Sequence, residues 1–194
     1  IDHQSLVSAV IKHSDICSVD AVTNGFNSGQ DLATAEVPGP VHLDLIAGLK
    51  PGSLRPRDKP KPTPIDNVSD FDLTRILKFV KKPVLIIGSL GTRLKLRDHL
   101  EDLALPVMTT VAAKGIINEE HPYAGGIFTG AGLVDAPERS ILGQADIVLG
   151  IGIRLNEILN QSPDIENVIN FDTVTIPAER DSKINTLCVD KTTI

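Results

Sequence analysis

The sequence lacks the motifs by which many hydrolases, metalloproteases and nucleoside triphosphatases are recognised. It contains no GxSxG elbow, no HExxH pair and no glycine loop that ends in Lys-Ser or Lys-Thr. None of the five histidines stands in a nucleophile signature. We therefore expect no catalytic residue and no metal ligand in this chain, and we expect its histidines to be structural.

Cysteine is also scarce. Cys17 and Cys188 lie far apart and match neither a metal-ligand spacing nor a CxxC redox pair. We interpret both as reduced thiols, which favours a cytoplasmic location.

Long apolar runs and basic clusters are missing as well. No apolar stretch approaches the ~18 residues that a membrane helix needs, and no signal peptide is visible. The net charge is −6, with no basic run outside one short linker, which argues against nucleic acid as a partner. The chain begins at Ile1 and opens within a helix-like pattern, which suggests an excised or proteolysed piece of a larger enzyme.

Residues 1–46 form a first segment. Apolar residues at helical spacing, from Leu6 to Ile11, predict a helix over 3–17, and a second helix is predicted from about Val19. Residues 41–45 alternate like a strand. The sequence thus predicts a helix-strand appendage at the N-terminal end.

Residues 47–67 are rich in proline and glycine among basic side chains, which is typical of an extended linker and marks a domain boundary. Beyond it, apolar runs alternate with amphipathic patterns. The predicted elements are a helix over 69–80, a strand over 83–87, a helix over 92–103, a strand over 106–110, a loop over 111–130, a helix over 133–144, and strands over 146–150, 168–171 and 183–189. This rhythm predicts an α/β domain over 68–194 with a doubly wound, Rossmann-like parallel sheet.

Two predicted strands end in glycines. The turn Gly88-Ser89-Leu90-Gly91-Thr92 would offer helix N–H groups to a phosphate, or would be a tight turn that packs helix on strand. In Gly150-Ile151-Gly152-Ile153-Arg154, the arginine could hold a phosphate bidentately or lie at a surface or interface.

Two further features could belong to a binding site. Asp172 ends a strand, where it could accept a hydrogen bond from a ribose hydroxyl or cap the next turn. The glycine-dense stretch 125–132 could cradle a flat ring or a pyrophosphate, or be a plain loop.

A family resemblance follows from these residues in their order. Pro38-Gly39-Pro40-Val41-His42-Leu43-Asp44-Leu45 resembles the GPVHLDLP segment that closes the pyrimidine-binding domain of thiamine-diphosphate enzymes of the acetolactate synthase type. Later segments resemble the central domain of that family in the same order; they are Pro106-Val107-Met108-Thr109-Thr110, Lys114-Gly115, His121-Pro122, Ala145-Asp146-Ile147-Val148-Leu149 and Val168-Ile169-Asn170-Phe171-Asp172.

The resemblance implies three domains in the parent protein. The first supplies a glutamate that activates thiamine, the last binds the diphosphate through Mg²⁺, and the two meet across an interface of a homodimer or homotetramer. By this resemblance, 1–46 is the tail of the pyrimidine-binding domain, 47–67 is a linker and 68–194 is the central domain. The missing pyrimidine- and diphosphate-binding domains would be its partners, and the chain alone is expected to be inactive.

The resemblance also implies that FAD or ADP can occupy the central domain, as in some relatives. The implied contact residues are Gly88, Ser89, Leu90, Thr110, Val111, Thr129, Gly130, Gly152, Ile153, Arg154, Asn156, Asp172 and Thr173. Several positions depart from the family pattern, namely Ser89-Leu90 for a glycine pair, Thr129-Gly130-Ala131 for a Gly-Met-His run, Asn156 for an aspartate, and Ile158 and Val37 for arginines. These departures favour a central domain in which FAD is absent or loosely held.

The resemblance implies that the parent decarboxylates a 2-keto acid such as pyruvate and transfers the two-carbon unit, with this domain as scaffold. Two alternatives remain: a stand-alone nucleotide- or CoA-binding module, and an NAD-dependent enzyme. If strand 41–45 has lost its parent sheet, we expect it to be disordered, covered by a helix or paired with another copy.

Overall fold

The computed structural model describes residues 2–18, 22–46, 78–132, 134–160, 163, 165–174 and 183–189. The chain divides into two compact units, Ile1–Thr63 and Pro64–Ile194. In the described residues, a two-stranded sheet lies in the first unit and a six-stranded sheet in the second. No helix in these ranges has the length and apolar composition that crossing a membrane requires.

The first unit has a β-α-β arrangement preceded by a short helix. Its elements are α1 (His3–Val7), β1 (His13–Ser18), α2 (Val22–Thr34) and β2 (Val41–Ile46). The two strands are parallel, with a register that runs from His13 opposite Val41 to Ser18 opposite Ile46. Helix α2 packs against both strands.

The predicted helix over 3–17 is wrong beyond Val7. Leu6 and Val10, which carry the helical spacing, are 73% and 72% exposed, so their apolar stripe is not buried against the described residues. The backbone after it pairs instead with β2. The strand over 41–45 and the second helix are confirmed. That strand is covered by a helix, one of the expected arrangements, and its partner strand belongs to the same chain.

The second unit is built on six parallel strands. They are β3 (Pro83–Ile87), β4 (Val107–Thr109), β5 (Ala124–Ile127), β6 (Ile147–Ile151), β7 (Val168–Asp172) and β8 (Ile184–Cys188). Their spatial order is β5-β4-β3-β6-β7-β8, with every neighbouring pair parallel. The α/β fold with a doubly wound parallel sheet is thereby confirmed.

Strand β5 lies inside the predicted loop over 111–130, so that prediction was wrong for Ala124–Ile127. The Ala-Gly-Gly-Ile sequence has little intrinsic preference for a strand. The ladder with β4 supplies the structure instead. The strand also needs its glycine, because a Cβ at Gly125 would lie 2.9 Å from Cγ of Met108.

In the described part of the second unit, the helices are shorter than the sequence predicts. They are α3 (Ser89–Arg93), α4 (Arg97–Leu100) and α5 (Pro137–Leu142), with single 3₁₀ turns at Val111–Ala113 and Leu155–Glu157. Lys95, at φ 58°, separates α3 from α4 within the predicted helix 92–103. The linker 47–67 and the predicted helix 69–80 lie outside the described residues, except 78–80, which are not helical.

Both faces of the six-stranded sheet are covered. Val84 and Ile86 of β3 belong to one apolar cluster, while Leu85 and Ile87 belong to another on the opposite face, as strand alternation requires. Ile86 and Ile87 are fully buried. Each contributes about 1.5–3 kcal/mol to folding by its removal from water.

The strand order changes direction between β3 and β6, which lie side by side in register from Pro83 opposite Ile147 to Ile87 opposite Ile151. In open α/β sheets, ligands bind outside the carboxyl ends of the strands at such a switch point. A ligand-binding site is therefore expected at the turns that follow β3 and β6.

Candidate functional site

The turn after β3 is packed directly on the turn after β6. The backbone N–H of Gly88 donates to the carbonyl of Ile151 at 2.8 Å. A Cβ at Gly88 would lie only 1.8 Å from the carbonyl oxygen of Gly152. The close approach that Gly88 allows is thus made to the protein's own backbone.

Gly152 is equally constrained. It has a φ of 65°, and a Cβ there would lie 2.2 Å from Cβ of Leu90. Leu90 itself is fully buried, and Ile153 is 2% exposed within the apolar core. These two side chains serve packing rather than an open binding surface.

The first turn of α3 is capped by a glutamate from the segment after β6. The carboxylate of Glu157 accepts the backbone N–H of Ser89 at 2.9 Å and the hydroxyl of Thr110 at 2.9 Å, both on Oε2. Its Oε1 accepts the hydroxyl of Ser89, whose oxygen also accepts from Arg93 Nη1 at 2.8 Å. Both oxygens of Glu157 are therefore engaged at the start of the helix, where a negative charge is stabilised.

A second glutamate fills the glycine loop after β5. Glu138, near the start of α5, is 2% exposed. Its Oε2 accepts the N–H groups of Thr129 and Gly130 at 2.5 and 3.3 Å. Its Oε1 accepts the hydroxyl of Thr129 at 2.8 Å and the N–H of Gly132 at 3.2 Å. The loop forms the kind of backbone concavity that holds an anion, and that anion is a side chain of the same domain.

The two loops that follow β5 and β6 are joined to each other. The carbonyl of Thr129 accepts from the N–H groups of Leu159 and Asn160 at 2.9 and 3.3 Å. Gly130, at φ 68°, has no room for a side chain, because its Cβ would lie 3.0 Å from Cβ of Pro163. Since β4 and β3 lie between β5 and β6, these bonds span the carboxyl ends of the central strands.

Arg154 and Asp172 form an ion pair at the ends of β6 and β7. The guanidinium donates from Nε to Oδ2 at 3.0 Å and from Nη2 to Oδ1 at 2.9 Å. The two side chains are 7% and 0% exposed. Oδ1 of Asp172 also accepts the N–H groups of Thr173 and Val174 at 2.7 and 3.3 Å.

The remaining predicted contact residues differ widely in solvent exposure. Val111 is 56% exposed and Asn156 is exposed, while Thr110 is fully buried and donates its N–H to Ile87. In the described part of the chain, the hydroxyl of Thr173 is the buried side-chain polar atom without a hydrogen-bond partner. The structure thus brings most of these residues to one edge of the sheet, where they bind mainly to other residues of the same domain.

Sequence reasoning missed three residues at this edge, namely Glu138, Glu157 and Asn170. The buried amide of Asn170 accepts the N–H of Ile153 at 2.9 Å and donates to its carbonyl at 3.1 Å, which fixes the turn after β6. One signal was available in the sequence. Glu138 follows a glycine loop and a proline, as expected of an acid in the first turn of a helix.

Within the described residues, no group of three histidine, cysteine or acidic side chains could hold a metal ion. The six-stranded domain therefore has a filled strand edge and, in those residues, no built metal centre.

Comparison with known proteins identifies the family of this domain. The sequence model of one family, described as "Thiamine pyrophosphate enzyme, central domain", matches residues 72–186, more than half of the 194-residue chain. That range contains β3 to β7 and most of β8.

Curated relatives agree with this match. A protein named as a probable acetolactate synthase large subunit from Methanococcus aeolicus is 27% identical over 81% of this chain and 28% of its own length. A pyruvate decarboxylase from Kluyveromyces marxianus is 28% identical over 68% of this chain and 26% of its own length. The thiamine metabolism regulatory protein THI3 from Saccharomyces cerevisiae is 36% identical over 44% of this chain and 15% of its own length.

A solved structure shares the fold. The X-ray structure of a candidate thiamin diphosphate-dependent enzyme from Mycobacterium smegmatis superposes with a TM-score of 0.57 at 18% identity, over 96% of this chain and 38% of that one. The chain spans less than a third of the length of the curated relatives named above. On the family match, the chain belongs to the thiamine pyrophosphate enzymes and carries their central domain, related to that of acetolactate synthase and pyruvate decarboxylase.

Proposed function

We propose that this chain functions within a longer polypeptide that uses thiamine diphosphate and Mg²⁺ to decarboxylate a 2-keto acid such as pyruvate and to transfer the resulting two-carbon unit. Residues 68–194 would be its central domain, residues 1–46 the tail of its pyrimidine-binding domain, and residues 47–67 the connection. The observation that carries this proposal is the family match over 72–186.

The short coverage of the relatives supports the view that other segments complete the enzyme. The chain accounts for 28% of the Methanococcus aeolicus protein and 26% of the Kluyveromyces marxianus one. When bound by those other segments, thiamine diphosphate supplies the electron sink for the bond that breaks next to the keto group. The partners that we propose for this chain are the pyrimidine- and diphosphate-binding domains of the same polypeptide. We propose that this polypeptide forms a cytoplasmic homodimer or homotetramer.

The role of the central domain in this enzyme would be architectural. Its apolar residues cover both faces of the sheet, and its charged side chains at the switch point are bound to neighbours in the same domain. A rigid layer of this kind can hold catalytic domains at a fixed distance without touching the substrate.

Pyruvate consumption tests the proposal. The longer polypeptide that contains this sequence should consume pyruvate when supplied with thiamine diphosphate and Mg²⁺, whereas the 194-residue chain alone should neither consume it nor bind thiamine diphosphate in a calorimetric titration. Turnover by the 194-residue chain alone would overturn the proposal, as would a longer polypeptide that consumes no 2-keto acid.

A further inference from the structure

We propose that the six-stranded domain binds no FAD, ADP or other adenine nucleotide, because its own side chains already hold the positions where such a ligand would lie. In doubly wound sheets that bind a nucleotide, the nucleotide lies at the switch point. This inference rests on the proposed function only for the choice of FAD and ADP as probes. The contacts that would exclude a nucleotide do not depend on that function.

The first position is the start of α3. A diphosphate would need the N–H of Ser89 and the hydroxyls beside it, and all of these donate to Glu157. A phosphate oxygen and a carboxylate oxygen compete for the same donors. Because both are negatively charged, a phosphate beside Glu157 would also be repelled.

The second position is the glycine loop. A pyrophosphate cradle there would need the N–H groups of Thr129, Gly130 and Gly132, and each already points to Glu138. Glu138 is almost wholly buried, so it could leave the loop only if all of its hydrogen bonds there were broken. A ligand would have to displace a charged group that accepts four hydrogen bonds.

The third position is the site where a cationic side chain would bind a phosphate and an acidic side chain would accept a hydrogen bond from the ribose. Arg154 would be the phosphate partner and Asp172 the ribose partner, but the two bind each other bidentately. The remaining capacity of Asp172 Oδ1 goes to the N–H groups of Thr173 and Val174. A nucleotide would have to break a buried ion pair before it could use either side chain.

Among the described residues, the segments around the switch point also contact each other directly. The backbones of Gly88 and Gly152 are in contact, and the loops after β5 and β6 are joined through the carbonyl of Thr129. The buried hydroxyl of Thr173 has no partner among the described residues. One hydroxyl offers one hydrogen bond, which does not hold a diphosphate, so the residues present do not fit the ligand.

The direct test is a titration of the wild-type chain with FAD, ADP and CoA, each followed by equilibrium dialysis. We expect no saturable binding up to about 1 mM ligand and no shift of the thermal midpoint, since only a ligand that binds the folded state raises it. Saturable binding of any of the three would overturn the proposal.

A second measurement tests the filling carboxylates. Glu157→Gln and Glu138→Gln keep the shape but remove the charge, so each should lower the thermal midpoint by about 4 °C or more. The matched control is Glu120→Gln, an exposed residue whose change should leave the midpoint almost unaltered. If the two variants unfold at the control's temperature, the carboxylates do not have the role assigned to them and the proposal fails.

The outcomes also separate this inference from the proposed function. If the longer polypeptide consumes pyruvate while the chain binds FAD, only the inference fails. If nothing binds and no 2-keto acid is consumed, only the proposed function fails.

Discussion

Arg154 and Asp172 hold each other through two parallel hydrogen bonds of 3.0 and 2.9 Å, although each was predicted to contact a different part of a nucleotide. Arg154 lies in the turn that follows β6, Asp172 is the last residue of the neighbouring strand β7, and both side chains are buried. The pair therefore joins the carboxyl ends of these two strands. Its loss should lower the stability of the sheet whether or not a ligand binds there.

Asp172→Asn should strongly destabilise the second unit. The change removes the charge that compensates the buried Arg154 guanidinium, and breaking such a pair costs about 3–5 kcal/mol. Denaturant unfolding of the chain measures the loss. Asp102→Asn, at an exposed position, is the control and should change the free energy of unfolding by less than about 0.5 kcal/mol.

Gly88→Ala should destabilise the unit by about 3 kcal/mol, because the new methyl group would overlap the carbonyl oxygen of Gly152 and the backbone must shift. Gly115→Ala is the comparison. It has a φ of 88° but open space around it, so it should cost only the backbone strain, about 1 kcal/mol. Equal losses in the two variants, measured by denaturant unfolding, would contradict a steric contact at the switch point.

Asn170→Ala should cost about 2–3 kcal/mol, since it leaves the buried N–H and carbonyl of Ile153 without the amide that bonds to both. Amide hydrogen exchange at Ile153 should become faster in the variant. Asn185→Ala, at an exposed position of β8, offers a matched control. Unchanged exchange at Ile153 would show that the amide does not hold this turn.

Stability should depend on Asp146 in acid. Its pKa lies below the ordinary value of 3.8 because the backbone N–H of Lys81, and after it that of Lys82, donates to the carboxylate. A lowered folded-state pKa gives stability that is present above the unfolded-state pKa and is lost as the pH falls through the folded one. The stability gap between wild type and Asp146→Asn should therefore be larger at about pH 6 than at about pH 2.5. A gap that stays constant over this interval would refute the assignment, and Asp102→Asn again serves as control.

The two thiols should differ in reactivity. Burial raises the pKa of Cys17, and the charge of Asp15 adds to the effect. Cys17 is 4% exposed, whereas Cys188 is half-buried. Iodoacetamide at about pH 8 should thus modify Cys188 first, as followed by mass spectrometry with Cys17→Ser and Cys188→Ser variants. Faster modification of Cys17 would contradict the described packing around it.

The sequence predicted most strands of the six-stranded sheet well, but it did not predict β1 or β5. Strands β3 and β6 are short apolar runs, each followed by a glycine, and such runs are typical of strands buried on both faces. Strands β1 and β5 carry no such run. Their backbones are held by pairing with β2 and β4, and a partner strand cannot be read from local composition.

The sequence predicted which turns meet at the carboxyl ends of the strands, but it did not predict the hydrogen bonds between them. Glycines and charges at strand ends pointed to the correct turns, because the carboxyl ends of parallel strands share one edge. The bond between Ser89 and Glu157 joins residues 68 positions apart. Such a pairing depends on the strand order and on loop paths, so no spacing rule reveals it.

The adjacency of β3 and β6 has a consequence during synthesis on the ribosome. Strands β3, β4 and β5 leave the exit tunnel before β6 and can pair among themselves, but the other side of β3 stays open until residues 147–151 have emerged as well. A nascent chain that stalls before that point would present a flat, apolar edge to its neighbours. Translation speed through 128–146 thus sets how long newly made copies of this protein are exposed to co-aggregation.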